Sequence, residues 1–243
     1  MMNKTCFAKM KEIYISNKNT IPFWHKLVAC FGTILLGAIL GYGSEWLEYS
    51  MHTSLTYQAN YILRGLIYVF NNYSVWIFAA TLIAYYSWGP FGAGIQTFSF
   101  LTSMCIGYFL PKYMHYGYNV VLQFVLWGVI ALFSMFPAGL IWFSRHIQRG
   151  GSFIKTLPIA AILGEFIFTV YHCIDYYSPI PGRPAEPLKW LLMPERITQL
   201  SIYMLFIALL VFLLAKNKKE RLQIAVLTIP ISFVFAVPFF LMQ

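Results

Sequence analysis

The chain is predicted to be all-α, a polytopic transmembrane helical bundle of about seven spans, or six if one run fails to cross, with its N-terminus in the cytoplasm. Three observations predict this. Of 243 residues, 59% are hydrophobic and only 10% are charged, whereas a soluble domain carries roughly 25% charged residues. The mean hydropathy is +0.65. The apolar residues fall into long continuous runs of the length a bilayer requires, about 20 residues each. Hydrocarbon offers no partner for backbone N–H and C=O groups, so spanning segments are helices or closed barrels. Barrel strands are short and alternating, and these runs are neither.

The expected spans are residues 27–47, 62–87, 91–111, 118–143, 156–176, 197–215 and 222–242. Asn71 and Asn72 interrupt the second run, so residues 58–70 are expected as an interfacial helix ahead of a shorter span. Trp88, Gly89 and Pro90 make a tight turn that favours antiparallel packing of spans two and three. Pro137, Pro230 and Pro238 are expected to kink spans four and seven. The stretch Ser178-Pro-Ile-Pro-Gly-Arg-Pro184 cannot continue a helix, because proline lacks the amide donor and clashes with the preceding turn. It opens the longest polar connector, residues 177–196. The organisation is a basic cytoplasmic segment, 1–26, followed by one transmembrane domain, 27–243.

The net charge of +9 raises the possibility of nucleic-acid binding, and its distribution argues against it. Twelve of the 17 basic residues form three clusters: Lys4, Lys9, Lys11, Lys18 and Lys26; Arg145, Arg149 and Lys155; Lys216, Lys218, Lys219 and Arg221. These lie in alternate connectors, as the positive-inside rule requires. The loops near 88–90, 144–155 and 216–221 are therefore expected in the cytoplasm. Those near 48–60, 112–117 and 177–196 are expected outside, with the C-terminus. Cys6, Cys30, Cys105 and Cys173 show neither metal-ligand nor disulfide-framework spacing and read as small buried hydrophobes. No cleaved signal peptide is expected. Localisation is the cell membrane, multi-pass, with the lipid bilayer as the constant partner.

Close helix packing is expected at Gly37 and Gly41, a GxxxG step extended by Gly32 and Gly43, and at Ala160 and Gly164.

The residues that carry functional information are those that do not belong in lipid. Glu165 lies near the middle of span five, where an ionised acid costs roughly 2.5–3.5 kcal/mol on insertion scales. It needs a buried partner, a water-filled cavity or the neutral form. Thr169, His172 and Tyr176 follow it at i+4, i+7 and i+11, on one helical face, with Asp175 beside them. This predicts a polar seam opening outward. The bland alternative is that Glu165 simply hydrogen-bonds a neighbouring helix.

A second group, Glu45, Glu48 and His52, is spaced i, i+3 and i+7 if the first helix continues that far. It shares the outward end with His172 and Asp175, so the two groups are candidates to meet. Carboxylates with His52 and His172 are a donor set for a hard or borderline metal, although no defined metal motif is present. Lys112 and His115 are expected in an outer loop beside Pro111, snorkelling or in water. Gln96, Ser99, Thr102 and Ser103 line span three, where inter-helix hydrogen bonds are their usual use. Trp46, Trp76, Trp88, Trp142 and Trp190 are expected in the interfacial belts. No Walker sequence, GxSxG nucleophile or dinucleotide fingerprint is present, and no cofactor or catalytic residue is assigned.

The pattern of Gly37-x-x-x-Gly41, Ser74-Val-Trp76-x-x-Ala79, Gly89-x-x-Gly92, Gly107-Tyr-Phe109 and Leu163-Gly-Glu165 resembles a family of bacterial multi-spanning membrane proteins, an uncharacterised domain of unknown function. The resemblance covers about residues 33–175 and implies architecture only. The residues themselves suggest three functions: a transporter of a small solute or ion, or its membrane-embedded binding subunit; a non-catalytic partner such as an assembly, immunity or sensory subunit; and a membrane enzyme acting on lipid or peptide. The candidate binding residues are Glu165, Thr169, His172, Asp175, Glu45 and Glu48.

Overall fold

In the computed structural model the described residues are 22–53, 60–116, 120–147, 150–175 and 193–241. Among them there are nine helices and no strand: α1 (Phe23–Thr53), α2 (Tyr61–Phe70), α3 (Tyr73–Tyr86), α4 (Pro90–Tyr116), α5 (Val121–Phe133), α6 (Met135–Ser144), α7 (Gly151–Asp175), α8 (Pro194–Leu214) and α9 (Lys218–Leu241). Six spans are long and apolar enough to cross a membrane, with α5 and α6 forming one of them, and the bent pair α2–α3 makes a seventh if it crosses as one. Large apolar side chains face outward, Val28 at 70%, Leu122 at 71% and Phe133 at 72% exposure. A surface this apolar is at home in lipid and not in water. The chain is a multi-pass membrane protein.

The breaks have local causes. α2 and α3 are bent by 59° at Asn71–Asn72, where two helix-poor residues interrupt an otherwise apolar run. The fourth span breaks at Ser134, between α5 and α6. Pro137, three residues on, has no N–H to give the carbonyl of Phe133 and clashes with it. Pro111 and Pro158, by contrast, sit inside the unbroken helices α4 and α7. α9 also runs unbroken over Pro230 and Pro238.

Contacts divide the chain into two compact units, residues 1–46 with 79–154, and residues 47–78 with 155–243. In the first unit α1 packs on α4 through glycine. A side chain at Gly37 would strike the Phe100 carbonyl and Ser103, and one at Gly41 the Met104 carbonyl; one at Gly107 would come within 2.6 Å of the Ala38 carbonyl. Gly32 and Gly43 face open space, so the close-packed stripe is shorter than the glycine pattern predicts. The turn after α3 is held from two sides. Trp142 Nε1 donates to the Ser87 carbonyl at 2.9 Å, and Arg145 Nη1 to the Tyr85 carbonyl at 3.0 Å. Ser87 also donates to Gln96. A guanidinium at the carbonyl end of a helix offsets its dipole. Trp142 and Trp76, both expected in the belts, are buried within the protein, at 0% and 5% exposure.

Two connectors are shorter than predicted. α4 continues through Pro111 to Tyr116, so Lys112 and His115 lie on its last turns and not in an outer loop. α7 begins at Gly151, which puts Lys155 inside a helix. The 177–192 part of the polar connector and the basic segment 1–21 lie outside the described residues.

In the second unit α2 runs beside α8 in the same direction. A Cβ at Gly65 would stand 2.6 Å from Thr198 Cβ and 2.9 Å from the Glu195 carbonyl. Seven residues on from Gly65, Asn72 bonds Tyr203 at 2.7 Å. The helix expected to be interfacial is therefore tied along its length to a spanning helix. Asn60 caps its start, accepting from the amides of Ile62 and Leu63 at 3.1 and 3.2 Å. α7 packs on α9 where Gly164 leaves room: a Cβ there would stand 3.0 Å from both Phe235 Cβ and the Ser232 carbonyl. Ala160, one turn before it, is fully buried.

Candidate functional site

A helix beginning inside hydrocarbon exposes amide N–H groups that no preceding turn can accept. α3 begins after the Asn71–Asn72 break, within an otherwise apolar run. Glu165 of α7 supplies the missing acceptor. Its Oε1 takes the backbone N–H of Tyr73 at 3.2 Å, and its Oε2 takes the hydroxyl of Ser74. A carboxylate at a helix N-terminus also meets the positive end of the helix dipole.

α8 completes the surroundings. The hydroxyl of Tyr203 donates to Glu165 Oε1 at 3.2 Å. The same hydroxyl oxygen accepts Asn72 Nδ2 at 2.7 Å and Gln199 Nε2 at 2.9 Å. Gln199 in turn accepts from Arg196 Nη1 at 2.9 Å. These bonds have one consistent direction, from the guanidinium of Arg196, through an amide and a phenol, to a carboxylate. They descend two helical turns of α8, about 10 Å at the usual rise per residue. Glu165, Tyr203 and Gln199 are 3%, 0% and 0% exposed. Near Arg196 the α2–α8 interface carries more charge. Arg64 Nη1 stands 3.7 Å from Glu195 Oε1, and the Arg196 guanidinium lies 4.2 Å from the Tyr68 ring centroid.

The polar cluster around Glu165 has other members than the α7 stripe expected from the sequence. Glu165 and Thr169 are both buried. His172 and Asp175 are on the same helix, but their side chains lie outside the described residues. The walls come from α8 and the α2–α3 break. Asn72, Ser74, Gln199 and Tyr203 are absent from the sequence-based candidates. One signal points to the α8 members: Glu195, Gln199 and Tyr203 recur every four residues in an apolar run, on one face.

Glu45 has a partner among the described residues that the sequence does not suggest. In the first unit its Oε1 lies 3.0 Å from His115 Nδ1, so an exposed histidine near the end of α4 is paired with a buried acid on α1. Glu45 is 3% exposed. Glu48 is half-buried further along α1, and the side chain of His52 lies outside the described residues. Among the described residues no three His, Cys, Asp or Glu side chains stand together as a metal site would need.

No protein-family model, curated protein or solved structure matches the chain. The resemblance over residues 33–175 gains no support from these comparisons, and the functional reading rests on the residues alone.

Proposed function

We propose that the chain transports a small solute or ion across the cell membrane, or forms the membrane-embedded binding subunit of such a transporter, with Glu165 as its working carboxylate. The observation that supports this is the placement of Glu165 at the start of a discontinuous helix deep in a span. Broken helices whose ends face an ionisable group at mid-membrane are the usual setting for coupling sites in transporters, and intramembrane acids mark ion or proton relays more often than not. The directed chain from Arg196 to Glu165 supplies polar continuity from the start of α8 to that acid. Neighbouring hydroxyls of Ser74 and Tyr203 are able to reorient when the acid gains a proton or meets a cation.

The test compares wild type with Glu165→Gln in sealed proteoliposomes, following proton, sodium and potassium flux under an imposed gradient. Gln keeps the shape and its oxygen can still accept from Tyr73 and Tyr203, so the variant should still fold and insert, with some stability lost with the Ser74 contact. The reading expects flux in wild type and its loss in the variant. Equal flux in both overturns it.

A second reading has its own observation. The bonds of Glu165 to Tyr73, Ser74 and Tyr203 all stay within the protein, as they would if the acid served only to cap α3. That favours a non-catalytic membrane partner, for which Glu165→Gln changes stability and nothing else.

A further inference from the structure

The short connector between α8 and α9 and the first turn of α9 gather Lys216, Lys218, Lys219 and Arg221 within six residues, with one acid, Glu220, among them. That acid is turned inward. Its Oε1 takes Lys155 Nζ of α7 at 2.7 Å, and its Oε2 takes the backbone N–H of Lys216 at 2.8 Å. Lys155 is 0% exposed, so the carboxylate is neutralised by a buried ammonium and does not offset the surface charge. Asn217 fixes the geometry by accepting the Glu220 amide at 2.9 Å. Lys216, Lys218 and Lys219 are left exposed.

These three lysines are flanked in sequence by exposed apolar side chains on both helices. Phe212 before the turn is 60% exposed, and Leu222 and Val226 after it are 67% and 59% exposed. The Arg221 guanidinium lies 4.2 Å from the Phe212 ring centroid. Cations beside a lipid-facing surface lie at headgroup level, where anionic headgroups attract them. We propose that this turn is a docking site for anionic phospholipid. Headgroup phosphate would engage Lys216, Lys218 and Lys219, while acyl chains lie along Phe212, Leu222 and Val226. This docking site is independent of any role for Glu165.

The test uses the full chain equilibrated in phosphatidylcholine bilayers containing phosphatidylglycerol, then extracted gently, with bound lipid counted by mass spectrometry. Each surface lysine contributes about five-fold to headgroup attraction. Wild type should hold phosphatidylglycerol in excess of the bulk ratio. K216Q/K218Q/K219Q should fall to the bulk ratio, and K216R/K218R/K219R should keep the excess. Matching unfolding temperatures in pure phosphatidylcholine establish that the variants are folded. A wild-type ratio equal to bulk, or an excess that survives the glutamine triple, overturns the proposal.

Discussion

The backbone amide of Tyr73 donates to Oε1 of Glu165 at 3.2 Å, so the acid of one helix closes the open start of another. The usual acceptor would be the residue before the helix. Asn72 holds that place, and its Nδ2 donates to the Tyr203 hydroxyl at 2.7 Å, which ties its side chain to α8. Removing an acceptor from buried N–H groups costs more than the net worth of one hydrogen bond, because the donor loses water without compensation. The break at Asn71–Asn72 and the acid at 165 are therefore two halves of one feature, joined by the bonds of Glu165 to Tyr73 and Ser74.

Tyr203 joins that feature to α8, and Tyr203→Phe isolates its hydroxyl. The substitution removes a donor from Glu165 and leaves the amides of Asn72 and Gln199 without their shared acceptor. A loss of about 1–3 kcal/mol is expected, read as a lower unfolding midpoint in a fixed detergent–lipid mixture. Combined with Glu165→Gln, the two losses should be non-additive by at least about 0.5 kcal/mol. Strict additivity would show that the two side chains do not act through one another.

Glycines in α1 separate contact from mere presence. A Cβ at Gly41 meets the Met104 backbone, whereas one at Gly32 meets nothing within 4 Å. Backbone cannot step aside as a flexible side chain can, so Gly41→Ala should cost about 1–3 kcal/mol through overpacking. Gly32→Ala should be neutral or stabilising by up to about 1 kcal/mol, through helix propensity. The same substitution on one helix thus has opposite signs, and thermal unfolding of the two variants measures both. Two equal shifts would contradict the α1–α4 packing.

The sequence made the helices readable because bilayer thickness and hydropathy act on each run separately. The α2–α3 break, the turn at Gly89 and the close approach at Gly37 and Gly41 are likewise local signals. Glu165 stood out for the same reason, as a charge in an apolar run. Its partners did not, because Ser74, Asn72 and Tyr203 are unremarkable in their own segments and acquire meaning only when three distant helices meet. Lys155 shows the opposite failure. Its position beside Arg145 and Arg149 reads as an exposed basic connector, since a positive charge near a span end normally lies in water. Nothing local reveals that Glu220, 65 residues away, draws it inside.

The contact between those two residues is itself open to test. Lys155 Nζ lies 2.7 Å from Glu220 Oε1, with side-chain exposures of 1% and 15%. Taking both ions out of water is costly, and their attraction offsets that cost only while both are present. Glu220→Gln removes the charge that compensates the buried ammonium and weakens the cap at the start of α9. A destabilisation of about 3 kcal/mol is expected, the low end for a broken buried pair because Glu220 is partly exposed. Lys155→Met in the Glu220→Gln background replaces the stranded cation with an apolar chain of similar length. It should recover a large part of the loss, since a buried pair exchanged for hydrophobic contact is often neutral. The measurement is the unfolding midpoint of the two single variants and the double variant in the same detergent–lipid mixture. A double variant as unstable as the sum of the singles would mean that Lys155 and Glu220 stabilise the protein separately, and that α7 and α9 are held together by something other than this contact.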